Sequence, residues 1–109
     1  MSERQSLATG FRNVDSFGDT DACHRCLDLI TGIPFFRDAK EESFRILADT
    51  NPSLVLDAGC GVGTDLVSLA SHLPAGCNIV GIDASESLLA RAAERTKGIQ
   101  EQCSLVRGD

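Results

Sequence analysis

The sequence lacks any apolar run close to the roughly 18 residues that a membrane-spanning helix needs. Its opening stretch, MSERQSLATGFRN, also lacks the apolar segment of a secretory signal peptide. Ten Lys and Arg stand against sixteen Asp and Glu, a formal net charge of -6, and no basic cluster is present. This charge repels phosphate-rich partners and disfavours nucleic acid as a bound polyanion. These absences predict a soluble, cytoplasmic protein that binds neither a membrane nor a nucleic acid.

Paired cysteines at regular spacing are also missing. The five cysteines are odd in number and scattered, which fits a reducing compartment better than a disulfide framework. Cys23 and Cys26 have the spacing of a metal or redox pair, but no second pair follows. Both lie on one predicted helical face with Leu27 and Ile30, so we interpret them as helix core and predict no metal site.

The composition that is present, 109 residues with 42% apolar and 24% charged, is typical of one small globular domain. The apolar residues of segment 1–18 show no sustained period, so this segment is predicted to form an N-terminal arm. Residues 19–52 carry two helical stripes and are predicted to form cap helices, the second with Asp38 as its N-cap. The spacing of apolar residues changes after Pro52, so residues 53–109 are predicted to form a separate unit.

Strands and helices alternate in this last unit. Three apolar stretches predict strands, at residues 53–58, 78–83 and 103–106. The two segments between them carry apolar stripes and predict helices, the second with Ser85 as its N-cap. The near-continuous apolar character of the first strand is typical of a strand buried on both faces. Short connections favour right-handed parallel crossovers. The expected fold is therefore α/β, an incomplete Rossmann-like doubly wound sheet of strand order 3-2-1, preceded by N-terminal helices.

A glycine-rich turn joins the first strand to the helix after it, with Gly59, Gly61 and Gly63 in a G-x-G-x-G pattern. Ligands of parallel α/β sheets bind at the carboxyl ends of the strands, where glycines let the backbone come close and its amides donate hydrogen bonds. Asp57 ends the first strand. Asp83 ends the second, 20 residues beyond Gly63, where a carboxylate can accept from both hydroxyls of a ribose. The pattern predicts a nucleoside-containing cofactor.

The dinucleotide fingerprint G-x-G-x-x-G is incomplete, because Thr64 stands where its third glycine belongs. A carboxylate at Asp57 also repels a pyrophosphate, and no Gly-Lys-Ser/Thr of a phosphate loop is present. A cationic nucleoside ligand is therefore favoured. Two alternatives stay open: a dinucleotide-binding (NAD or FAD) half-domain of an oxidoreductase, and a non-enzymatic truncated binding module.

Three segments together resemble the first three motifs of class I S-adenosylmethionine-dependent methyltransferases: Val-Leu-Asp-Ala-Gly-Cys-Gly-Val-Gly, Val-Gly-Ile-Asp-Ala-Ser and Val-Arg-Gly-Asp. The resemblance is greatest to the small-molecule group that includes ubiquinone and menaquinone methyltransferases, and it covers residues 53–109. It implies the N-terminal half of such a domain. S-adenosylmethionine would then be the cofactor, S-adenosylhomocysteine the product, and a small molecule the methyl acceptor.

The resemblance also implies roles for particular residues. Asp57 and the backbone of residues 59–63 would hold the methionine moiety, Asp83 the ribose hydroxyls, Ala84 the adenine ring, and Asp109 the adenine amino group. The implied cofactor site thus comprises Asp57, Gly59, Cys60, Gly61, Gly63, Asp83, Ala84 and Asp109. No catalytic residue is identified, because the acceptor side belongs by resemblance to later strands.

Two further expectations follow. The segment before the second cap helix resembles, more weakly, the cap of this group, so Arg37 or Lys40 is a candidate for contact with the cofactor carboxylate. The first strand is expected to be an unpaired edge beside a bare sheet face, which favours self-association. The chain by itself is expected to bind cofactor weakly and to transfer no methyl group.

Overall fold

A computed structural model describes Asp15 and residues 20–109. Its elements, in chain order, are helices α1 (Thr20–Thr31) and α2 (Pro34–Asp49), strand β1 (Leu54–Ala58), helix α3 (Thr64–His72), strand β2 (Asn78–Asp83), helix α4 (Glu86–Arg95), a single 3-10 turn (Lys97–Ile99) and strand β3 (Cys103–Arg107). None of the helices in this part of the chain is long and apolar enough to cross a membrane. Apart from Asp15, the predicted N-terminal arm lies outside the described residues.

The three strands form one parallel sheet in the order β1-β2-β3. Leu54 pairs with Asn78 and Ala58 with Ile82, and the β2–β3 register ends with Asp83 beside Arg107. This arrangement confirms the predicted α/β fold and its 3-2-1 order. Because the strands are parallel, their carboxyl ends meet at one edge of the sheet, and the glycine turn leaves β1 at that edge.

Helix α2 begins four residues earlier than expected. Pro34 occupies its first turn after Ile33, whose extended backbone makes it the N-cap without a side-chain hydrogen bond. Proline suits this position because its fixed φ matches the helix and its missing N–H would have no partner there. Asp38 therefore lies inside the helix, and its prediction as N-cap was wrong.

The core lies on one face of the sheet. Leu66 of α3 and Ile79 of β2 are both 0% exposed. Other buried members of the same cluster come from α2, all three strands and their connections, among them Phe44, Val55, Leu69 and Cys103. Helices α2 and α3 thus pack on the same side, and Leu89 of α4 joins the edge of the cluster. The apolar stripes predicted for these helices mark their buried faces.

The opposite face of the sheet is uncovered in the described part of the chain. Leu54, Leu56 and Val106 are 54%, 60% and 48% exposed. The prediction that the first strand is buried on both faces was therefore wrong for this structure, because α2 packs beside α3 and not across the sheet. Among the described residues, the expected bare face and the free edge of β1 are both present.

The start of helix α4 has two polar caps. The hydroxyl of Ser85 accepts a hydrogen bond from Leu88 N at 3.1 Å, which confirms the predicted N-cap. The carboxylate of Asp15 accepts from the Ser85 hydroxyl and from Glu86 N, both at 2.7 Å. Hydrogen bonds from Ser85 and Ser87 hold the pKa of Asp15 at about 2. A carboxylate is favoured here because the first amides of a helix carry partial positive charge.

Gly63 is the glycine that the packing of α4 requires. Its φ is 82°, and a Cβ added to it would lie 3.0 Å from Cβ and 3.1 Å from Cα of Ala92. We expect Gly63→Ala to lower the free energy of unfolding by about 2–5 kcal/mol, the sum of left-handed strain and overpacking. Gly76→Ala is the matched control, because no heavy atom lies within 4 Å of its added Cβ. Urea denaturation that gives equal losses for the two variants would contradict this steric role of Gly63.

Candidate functional site

The glycine turn is held against the end of β2 by its own backbone. The amides of Gly59 and Cys60 donate to the carbonyl oxygen of Ile82, at 2.7 and 2.9 Å. The amide of Gly61 donates to Oδ2 of Asp83 at 2.9 Å. These hydrogen bonds bring the ends of β1 and β2 together, as the parallel strand order predicted.

The three glycines of the turn have left-handed backbones, with φ of 73° at Gly59, 55° at Gly61 and 82° at Gly63. Their surroundings differ. A Cβ on Gly59 would meet nothing within 4 Å, whereas one on Gly63 would collide with α4. Gly59 therefore presents open backbone at the sheet edge, where a ligand can approach, and Gly63 serves the packing of the turn against the helix.

Asp83 braces the turn through both of its carboxylate oxygens. Oδ2 accepts from Gly61 N, and Oδ1 accepts from Ser85 N at 2.9 Å. The sequence favours a ribose-binding role for Asp83 over the simpler role of capping the next helix. Each carboxylate oxygen can accept more than one hydrogen bond, so this bracing leaves capacity for ribose hydroxyls.

Asp57 carries an acceptor without a donor. Its side chain is partly buried, yet its Oδ2 is fully buried and has no hydrogen-bond partner among the described residues. Burial raises the pKa of Asp57, the charge of Asp65 raises it further, and Lys40 opposes both. An unpaired buried acceptor is costly and rare in folded proteins. A ligand that donates a hydrogen bond or carries positive charge would relieve this cost.

Cys60 lies in the turn as a small apolar residue. It is 8% exposed, and burial, followed by the charges of Asp57 and Asp83, raises the pKa of its thiol to about 12. The thiol therefore stays protonated at neutral pH, and a protonated thiol is a poor nucleophile. Cys60 therefore serves the turn through its backbone, whose amide donates to Ile82 and whose carbonyl oxygen accepts from Gly63 N.

The remaining predicted residues, Ala84 and Asp109, follow the ends of β2 and β3. Ala84 is exposed, and its carbonyl oxygen accepts from Nε of Arg107 at 3.3 Å. The amide of Gly108 donates to the carbonyl oxygen of Asp83 at 3.1 Å, which places exposed Asp109 beside the end of β2. All eight predicted residues are thus at or beside the carboxyl edge.

Two neighbours of the turn were not foreseen from the sequence. Leu27 of α1 packs against Val62 and Leu88, with its Cδ1 3.9 Å from the place of a Cβ on Gly61. Asp65 lies at the start of α3, where Lys40 of α2 donates to its Oδ2. The helical stripe of α1 marked Leu27 as buried, but no local signal could indicate the turn as its partner.

A parallel sheet with a glycine turn at its carboxyl edge defines the chain as a Rossmann-like α/β domain, a class that binds ligands at this edge. A family model described as "Methyltransferase domain" matches residues 55–109. The chain belongs to this methyltransferase family. The dinucleotide-binding alternative gains no support from this match.

Similar proteins agree with this assignment. The chain is 27% identical over 79 residues to carboxy-S-adenosyl-L-methionine synthase of Sulfurimonas denitrificans, a match that covers 71% of the chain and 34% of that protein. It is 40% identical over 57 residues to 24-methylenesterol C-methyltransferase 2 of Oryza sativa subsp. japonica, covering 50% of the chain and 15% of that protein. The chain therefore spans a minor part of these relatives' length.

Among solved structures, the chain is similar to a SAM-dependent methyltransferase from Geobacter sulfurreducens in complex with S-adenosyl-L-homocysteine. The identity is 28% and the TM-score 0.53, over 65% of this chain and 29% of that one.

Asp57→Asn tests the cost of the buried carboxylate. Folding raises the pKa of Asp57 above its ordinary value of 3.8. Between pH 3.8 and the raised pKa, the folded chain therefore binds more protons than the unfolded chain. The stability of the fold falls as the pH rises through this window. We expect the variant to unfold at a higher urea concentration than the parent chain at neutral pH. The difference should shrink as pH approaches 3.8.

Glu101→Gln, which alters an exposed carboxylate in the turn before β3, is the matched control and should change little. A loss of stability in Asp57→Asn at neutral pH would contradict the expected cost.

Proposed function

We propose that the chain is the cofactor-binding part of an S-adenosylmethionine-dependent methyltransferase. The observation that carries the proposal is the unpartnered, buried Oδ2 of Asp57 beside the open backbone of Gly59. S-adenosylmethionine bears an ammonium and a sulfonium, either of which would complement this carboxylate. A dinucleotide instead brings a pyrophosphate, which the same carboxylate repels.

Each candidate residue has a role in this proposal. Asp57 accepts from the ammonium of the methionine moiety, and the backbone of residues 59–63 lies against the rest of that moiety. The amides of Gly59, Cys60, Gly61 and Gly63 already donate within the chain and shape the turn that receives it. Asp83 uses its remaining lone pairs for the ribose hydroxyls. Ala84 packs on the adenine, and Asp109 accepts from the adenine amino group.

S-adenosylmethionine supplies a methyl group that is already activated by its bond to a sulfonium. The work left for the protein is therefore mainly orientation, a contribution that reaches about 7–11 kcal/mol in favourable intramolecular reactions. Rigid backbone suits this task. The turn is anchored to β2 through Ile82 and Asp83, so a ligand bound to it would be fixed relative to the sheet.

The ligand itself provides the first test. We expect S-adenosylhomocysteine to bind the chain more tightly than NADH when both are titrated by calorimetry. The physical reason is the absence of a third glycine at Thr64 together with the repulsion between Asp57 and a pyrophosphate. Tighter binding of NADH would overturn the proposal in favour of a dinucleotide-binding domain.

Asp57→Asn sharpens this test. Loss of a hydrogen bond to a charged group should weaken S-adenosylhomocysteine binding by about 10- to 100-fold. Since the same variant is expected to be more stable at neutral pH, the weaker binding would not reflect unfolding. Asp83→Ala is less informative, because Asp83 also braces the turn. Glu101→Gln should leave the affinity unchanged.

We infer that the methyl acceptor is a small molecule and that the protein works in the cytoplasm. The net charge of -6 disfavours a nucleic-acid acceptor. Cys26, Cys60, Cys77 and Cys103 form no disulfide in the described part of the chain, which suits a reducing compartment. The acceptor class is tested by direct binding of the chain to small-molecule and RNA pools, and preferential binding of RNA would overturn the inference.

We also propose that the chain self-associates through β1 and the bare sheet face. An open strand edge beside exposed Leu54 and Leu56 is the kind of surface that recruits another chain. Leu56→Lys is expected to shift sedimentation towards the monomer. Ile46→Lys, which alters an equally exposed residue of α2, should not. A parent chain that is monomeric at tens of micromolar would contradict the proposal.

A further inference from the structure

A cavity of about 150 Å³ lies between the end of α1, the first half of α2 and the start of α3. Ile30, Phe36 and Phe44 supply apolar side chains to its wall, and the ring of Phe44 stands 5.7 Å from that of His72. An apolar cavity of this size accommodates a benzene ring. The space therefore suits one ring or a short branched chain.

The cavity adjoins the glycine turn. Thr64 and Asp65, which line it, follow Gly63 directly in the chain. The charges of Asp65 and Lys40, which line the cavity, also act on Asp57 at the start of the turn, so the cavity and the turn are close in space. A molecule in the cavity would lie next to a ligand held by the turn, which is the relation that an acceptor needs to a cofactor.

Three of the four charged side chains that line the cavity have a hydrogen-bond or ionic partner in the described structure. Lys40 is paired with Asp65, and Glu41 lies 2.8 Å from Nε2 of His72. In the described structure the guanidinium of Arg37 has neither a carboxylate nor a hydrogen-bond acceptor as partner. It lines the same cavity. An unpaired guanidinium beside an apolar space fits a ligand with an anionic group, preferably a planar carboxylate.

The mouth of the cavity is apolar as well. Phe36 is 46% exposed and packs edge to face with Phe35, their ring centroids 5.5 Å apart. Leu29, Ile30 and Ile33 add further exposed apolar surface around the α1–α2 corner. Surface of this kind favours an apolar ligand over a sugar or a polyanion.

We propose that this cavity is the acceptor subsite and that Arg37 selects a small aromatic or apolar carboxylate. The inference rests on the proposed function, since it takes the glycine turn as the cofactor's place. Arg37 acts as a specificity residue: it pairs with the carboxylate while Phe36 and Phe44 enclose the apolar end.

The test uses phenylpropionate as probe, with phenylpropanamide as its uncharged match, titrated into the chain while amide chemical shifts are followed by NMR. The shifts should concentrate in the first half of α2 and the start of α3. The amide probe should bind at least about tenfold more weakly, as expected for loss of a charge-assisted pair. Equal binding of the two probes, or shifts elsewhere, would overturn the proposal.

Variants assign the contacts. Arg37→Gln should weaken phenylpropionate about tenfold and leave phenylpropanamide unchanged, and Phe36→Ala should weaken both. Arg45→Gln and Ile46→Ala are the controls, because neither residue lines the cavity, and both should bind like the parent chain. Parallel losses in a variant and its control would contradict the assignment.

Arg37 could pair with the carboxylate of an acceptor or with that of the cofactor, and a titration with S-adenosylhomocysteine distinguishes the two. Simultaneous binding of probe and S-adenosylhomocysteine supports an acceptor subsite, whereas mutual displacement would assign Arg37 to the amino-acid end of the cofactor and overturn the inference. The proposals also fail separately. Probe binding without S-adenosylhomocysteine binding would overturn the proposed function, and S-adenosylhomocysteine binding without probe binding would overturn the acceptor subsite.

Discussion

One carbonyl oxygen, that of Ile82, accepts the amides of both Gly59 and Cys60, and the rest of the candidate site depends on this anchor. The paired hydrogen bonds turn the chain back over the end of β2 as soon as it leaves β1. Asp83 completes the anchor by accepting from Gly61. Because neighbouring parallel strands hold each other in register, a turn that is hydrogen-bonded to β2 is fixed relative to the whole sheet.

The anchor explains why two aspartates at corresponding strand ends do different work. Asp83 is satisfied by backbone amides and stabilises the turn. Asp57 lies on the helix-covered side, where burial raises its pKa and leaves Oδ2 without a partner. A folded chain rarely keeps such an unmet acceptor, and binding sites are where stability is given up for ligand recognition.

The helices before the sheet extend this edge into a larger site. Leu27 of α1 packs on the glycine turn, and α2 joins α3 through the contact between Lys40 and Asp65. These contacts place the apolar corner between α1 and α2 beside the turn. The same placement keeps α2 off the far side of the sheet, so Leu56 remains exposed. One packing arrangement thus creates both the cavity at Arg37 and the bare face.

By itself, the sequence determined the order of strands and helices, the parallel sheet and the place of the glycine turn. These features are local. Short apolar runs mark the strands, a period of 3.6 residues marks the helices, and a glycine pattern marks the turn. Short connections then predict parallel strands, whose order brings the ends of β1 and β2 together. A local signal also marked Ser85 as the cap of α4. At the start of α2 two local signals competed, and the proline at Pro34 prevailed over the capping-box pattern at Asp38.

Only the tertiary structure decided which face each element buries and what its polar atoms meet. The apolar run of β1 indicates that both of its faces suit burial, yet it does not say whether α2 lies over one face or the other. Nor does any spacing indicate that Oδ2 of Asp57 lacks a donor, or that Arg37 faces a cavity without a counterion. Such properties depend on residues distant in sequence, and periodicity indicates which side chains share a face but not which partner that face meets.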